Sequence, residues 1–163
     1  MEKQNLKDRL ERSSKWQIEK YWEDDQQTPF EVVEWGGNLG LDEGIDEAWD
    51  LICGTGTPVA YSNANARLGV GDSTTAASST QTALQAPTNK LLKAMLAGYP
   101  TTTSQQAVFK SSFASAEANF AWQEFTVVNS SVEGGKNLLR KISNQGTKTA
   151  GQVWTLQISV TMS

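Results

Sequence analysis

The stretch ARLGVGDSTTAASST, residues 66–80, sets a glycine pair, Gly69 and Gly71, just before Asp72, Ser73, Thr74 and Thr75. Glycines followed by hydroxyls are the raw material of a phosphate cradle, because bare backbone N–H groups can approach phosphate oxygens closely. A Walker loop, however, needs a lysine after its second glycine and a helix behind it. Here no lysine follows the pair, and Asp72 stands where the phosphate charge belongs. A dinucleotide fingerprint needs a third glycine and a helical pattern next, whereas this sequence runs on through Thr, Ser and Ala. Residues 67–70 therefore read as a short strand. Gly71, Asp72 and Ser73 read as the turn that leaves it for a hydroxyl-rich surface segment.

The other reactive side chains give little chemistry. The chain of 163 residues has no histidine, which removes the commonest general base and metal ligand and the Ser-His and Cys-His pairs. One cysteine, Cys53, allows neither an internal disulfide nor a cysteine-built zinc site. Its place beside Ile52 at a helix end predicts a small buried hydrophobe. The acids Asp42, Glu43, Asp46, Glu47 and Asp50 lack EF-hand spacing and read as the solvated face of a helix. Glu23, Asp24 and Asp25 read as a charged turn. The expectation is no cofactor, no metal and no catalytic set. A formal net charge of −4 with scattered Lys and Arg speaks against a nucleic-acid partner. No run of apolar residues is long enough for a membrane-spanning helix, and residues 1–16 lack the apolar core of a secretory signal. A protein made and kept in a cytoplasm, or released by another route, is expected.

Six tryptophans are the remaining chemical resource: Trp16, Trp22, Trp35, Trp49, Trp122 and Trp154. Core filling accounts for Trp49, Trp122 and Trp154. Trp22 and Trp35 lie beside turns, where aromatics serve subunit contacts or sugar stacking; a subunit contact is the preferred reading.

Positioning these residues falls mainly to strands. In KWQIEKYW, Trp16, Ile18 and Lys20 alternate with Gln17, Glu19 and Tyr21, and FEVVEW follows after a polar turn. LDEGIDEAWDLICG predicts a helix at about 41–53, with Leu41, Ile45, Trp49 and Ile52 as its apolar stripe, Asp42 as N-cap and Gly54 as the stop. Gly44 costs it some propensity. In NKLLKAMLAGYP, Leu91, Leu92, Met95 and Leu96 fit a second helix at about 88–97, with a strand as the competing reading. From residue 106 onward AVFKSSF, NFAWQEFTVVN, NLLRKIS and QVWTLQISVTMS read as strands. The last alternates Trp154, Leu156, Ile158, Val160 and Met162 with polar residues. The parity slip in NFAWQEFTVVN asks for a bulge near Gln123–Glu124. The fold class expected is mainly β, an antiparallel sandwich at 15–163. It is preceded by a polar N-terminal arm at 1–14, in which Leu6 and Leu10 share a helical face.

Four blocks carry a resemblance: FEVVEWGGNLGLDEGIDEAWDLICG, NANARLGVGDSTTAASSTQTALQ, SSFASAEANFAWQEFTVVN, and NLLRKIS joined to TKTAGQVWTLQISVTMS. Over about four-fifths of the chain they resemble small tailed-bacteriophage virion structural proteins. That resemblance implies a virion location and no enzymatic activity. The role it implies is a capsid decoration or cement protein bound to the shell as a homo-oligomer, a trimer being one form. A neck, collar or tail accessory (fibre-attachment) protein is the alternative. A receptor- or carbohydrate-binding module is the reading from another class. Partners would be major capsid, neck or tail subunits, with no nucleic acid, membrane or small-molecule substrate. Leu6, Leu10, Trp16, Trp22 and Trp35 are the interface residues expected.

Overall fold

The computed structural model describes residues 12–162. Leu6 and Leu10 lie outside them. The described residues form two antiparallel sheets of five strands each, packed face to face. In chain order the elements are β1 (Arg12–Trp22), β2 (Glu31–Gly36), β3 (Leu39–Gly40), α1 (Asp42–Cys53), β4 (Arg67–Gly71), β5 (Lys90–Ala94), β6 (Thr101–Thr103), β7 (Gln106–Phe113), β8 (Glu124–Val128), β9 (Asn137–Ile142) and β10 (Gln152–Met162). One sheet runs β2-β1-β10-β7-β6 and the other β3-β9-β8-β4-β5. The expected sandwich is thus present. Its first strand begins at Arg12, so residues 12–14, assigned above to the arm, belong to the body.

The long strands β1 and β10 pair along their whole length, from Arg12 opposite Met162 to Trp22 opposite Gln152. Their alternation sends Trp16, Ile18, Trp154, Leu156 and Ile158 inward, all at most 2% exposed. Leu68, Val70, Phe125, Val127 and Leu139 meet them from the second sheet, with Phe113 and Trp122 filling the space between. Trp122 sits edge-on to Trp154 at 4.9 Å and to Phe113 at 4.7 Å, geometries that aromatic quadrupoles favour. Lys20 shares the inward parity of β1. Its ammonium lies 4.4 Å from the Trp154 ring centre and pairs with Glu31 at 2.6 Å, which lets a cation close the edge of an apolar core.

Three local expectations are overturned. Of the two readings of residues 88–97 the strand holds and the helix does not: residues 90–94 form β5, because pairing with β4 decides the matter, with Leu92 opposite Gly69 and Lys90 opposite Gly71. Leu91 and Leu92 instead lie along an edge strand, with Leu92 folded over the bare Cα of Gly69. The NFAWQEFTVVN run is not one bulged strand. Trp122 precedes β8, and Ala121 bridges Thr147 alone, while the register irregularity falls at Val127/Val128. The residues around Leu84 and Ala86 are no mere surface segment, since both side chains are buried.

Candidate functional site

The glycine-and-hydroxyl loop does surround an anion, and the anion is the protein's own. Gly71 lies opposite Glu124 in the β4–β8 pair, and a Cβ on Gly71 would overlap the Glu124 carboxylate. Glu124 is fully buried. Its Oε1 accepts from the backbone N–H of Ala86 at 2.7 Å, and its Oε2 accepts from that of Gln85 at 2.8 Å. Arg140 on β9 donates Nε and Nη2 to Oε2 at 3.0 and 2.6 Å. Its Nη1 reaches the Thr75 carbonyl and Gln81 Oε1, both at 2.9 Å. The pair thus spans two strands and ties both ends of the 72–89 loop to the sheet. Charge-assisted bonds of this kind are the strong ones, and they compensate two ions that burial would otherwise penalise severely. The chemistry available there is structural. The sequence carried a signal for it only in that Glu124 directly precedes Phe125 and Arg140 directly follows Leu138 and Leu139.

Helix α1 is turned differently from its apolar stripe. Leu41 takes the N-cap position in place of Asp42, and Gly54 closes the helix with φ 67° as expected. The helix residues buried against the sheet are Gly44 and Glu47. A Cβ on Gly44 would strike the backbone of Asn137 and Leu138, so glycine here permits helix and strand to touch. Two of the acids read as solvated face inward. Glu47 Oε1 accepts from Val59 N at 2.6 Å and Asn129 Nδ2 at 2.8 Å. Glu43 Oε1 accepts from Asn137 N at 2.6 Å. With 3.6 residues per turn, Ile52 and Trp49 stand about 80° and 140° round from Gly44. They emerge into solvent: Trp49 is 53% and Ile52 68% exposed. Trp49 is therefore no core residue, and Cys53 is exposed, not buried.

The expected interface residues separate. Trp16 is fully buried and stacks on Trp35 with ring centres 6.0 Å apart, so it belongs to the core and offers a partner no surface. Trp35 is half-buried against the same cluster. Trp22 is 50% exposed and stacks on Phe30 at 4.5 Å. Val32, 48% exposed on edge strand β2, stands with them as an exposed hydrophobic of this edge.

Below the β7–β8 connection, Glu117 holds Lys93 by both oxygens at 2.6 Å and accepts from Ala114 N. Burial pushes its carboxyl pKa up, but the Lys93 and Ala114 hydrogen bonds and the charges of Lys93 and Lys148 outweigh it and leave the pKa lowered. Lys148 donates to Ala114 O and Asn119 Oδ1 at 2.8 Å each. Burial lowers its ammonium pKa against the opposing pull of Glu117 and Glu23. Among the described residues no group of three or more His, Cys, Asp or Glu could hold a metal ion, and no helix is long and apolar enough to cross a membrane.

No family model, no curated protein and no solved structure matches this chain.

Proposed function

We propose that the protein is a non-enzymatic structural component of a tailed-phage virion, a capsid decoration or cement protein that binds the shell as an oligomer. The observation that carries this reading is the outward apolar side of α1. A helix whose inward side is made of Gly44, Glu43 and Glu47 has spent hydrophobic residues on the surface, where Trp49 and Ile52 are 53% and 68% exposed. Contiguous exposed apolar residues rimmed by charge mark protein contacts, and tryptophan is the side chain most enriched at their centres. Trp22 at the end of β1, stacked on Phe30 just before β2, supplies a second exposed aromatic contact on the other sheet. Two adhesive surfaces on a rigid sandwich suit a subunit that touches more than one neighbour. The sequence blocks resembling virion proteins supply the setting.

Mixing purified protein with phage particles that lack it, then pelleting the particles and counting bound copies, tests the proposal. The native chain should bind in many copies, and Trp49→Ser/Ile52→Ser should lose at least tenfold in occupancy while keeping its unfolding midpoint. A few copies per particle would favour the neck or tail alternative. No association with particles would defeat both.

A further inference from the structure

Among the described residues, the core of the sandwich is open at one end. A cleft of ≈ 640 Å³ lies where the ends of β7 and β10 face β9 and α1, walled by Phe109, Val160, Leu138, Tyr61, Ala48 and Met162. Phe109 and Val160 are core residues, 4% and 6% exposed, whereas Met162 at the rim is 46% exposed. The volume falls in the range of about 300–1,000 Å³ that engulfs a ligand. The β6–β7 turn forms part of the wall, and its Ser104 and Gln105 both hold positive φ, 46° and 69°.

The chain itself arrives at this opening. Arg12, the first residue of β1, pairs with Met162 on the rim, and eleven residues precede it. Leu10 is two residues upstream, so about 7 Å of extended chain returns it to the cleft. Leu6 follows at the i, i+4 spacing that places both leucines on one helical face, with Lys3, Lys7, Asp8 and Glu11 around them. The rim contributed by Ser104 and Gln105 is polar and neutral, so it repels neither sign of that charge.

We propose that the segment Leu6–Leu10 docks into the cleft of its own molecule and closes the open end of the core with its two leucines. A tether of a few residues holds the leucines at millimolar effective concentration, which a second copy reaches only in concentrated solution. The proposal does not depend on the virion reading, since cleft and tether are there whatever the protein contacts. In this arrangement Leu6 and Leu10 cover their own core and do not serve the subunit interface expected of them.

Trypsin cleavage after Arg9, followed by mass spectrometry on the full chain, tests it. The native protein should be cut at least tenfold more slowly than Leu6→Ser/Leu10→Ser, at any protein concentration. Met162→Asp, a change at an exposed position that leaves the arm untouched, should release the same site. Thermal unfolding of each variant confirms that the body is folded. Equal cleavage rates in native and variant proteins would overturn the proposal. Protection that vanishes on dilution would also overturn it, and would assign the cleft to the arm of a second copy.

Discussion

Replacing Glu124 by glutamine removes one charge from a site that has no water to compensate it. Both members of the Glu124–Arg140 pair are 0% exposed. The carboxylate receives four donors: two backbone N–H groups on the 72–89 loop and two guanidinium N–H groups. In the glutamine variant one oxygen becomes an NH₂ donor, so it must face either the Ala86 N–H or the cluster from Gln85 and Arg140. Breaking a buried pair by removing one partner costs about 3–5 kcal/mol. The orphaned amide, worth about 1–3 kcal/mol alone, overlaps with that figure and does not add to it. A loss of about 3–5 kcal/mol is expected, a large share of the roughly 5–15 kcal/mol that holds a domain together. Arg140→Met should cost less, about 3 kcal/mol, because Glu124 keeps both loop amides. Combining Glu124→Leu with Arg140→Met should cost clearly less than the sum of the single changes, since no buried charge remains. Urea denaturation gives the energies, and hydrogen exchange at Gln85 and Ala86 reports whether the loop has come loose. A cost below about 1 kcal/mol with both amides still protected would refute the assignment of the pair as the loop's anchor.

Three further changes separate local from tertiary causes. Gly44→Ala would add about 1 kcal/mol to an isolated helix. Here it should destabilise by about 1–3 kcal/mol, measured by denaturation, because the new methyl meets the Asn137 and Leu138 backbone. Ser104→Asn/Gln105→Gly should raise the melting temperature by a few degrees, from about 0.5–1 kcal/mol of relieved strain, as Asn-Gly is the preferred pair for a two-residue turn with positive φ at both positions. Glu117 carries a lowered pKa, so its contribution is present above the unfolded carboxylate pKa and is lost as pH falls through the lower folded one. Glu117→Gln should therefore be less stable than the native chain at neutral pH, and the two should converge in acid, as a pH series of melting temperatures would record.

The strands were the legible part of this sequence, for a physical reason. Period-two alternation in β1 and β10 is dictated by which face is buried, and both faces are visible in the residues themselves. The same holds for the boundaries of α1, where Gly54 stops the helix by a local backbone preference. The facing of α1 was not legible. Glu43 and Glu47 turn inward because the Asn137 and Val59 amides, 94 and 12 positions away, need acceptors, and a hydrophobic periodicity contains no record of distant donors. Residues 90–94 misled for the same reason: Leu91, Leu92, Met95 and Leu96 fit a helix locally, but β4 offered Leu91 and Leu92 a strand to pair with. Of the expected interface residues, Trp22 is exposed, as its place beside a turn suggested. The real exposure at Trp49 and Ile52 was hidden by the assumption that an apolar stripe faces the core.

Under the proposed function this sandwich adheres to a virion through the outward side of α1. A density map of the assembled phage particle, at a resolution that separates strands, tests it most directly. Many copies on the shell are expected, each with Trp49 and Ile52 covered by a neighbouring subunit. Absence of the protein from the particle, or its presence with that helix face open to solvent, would contradict it.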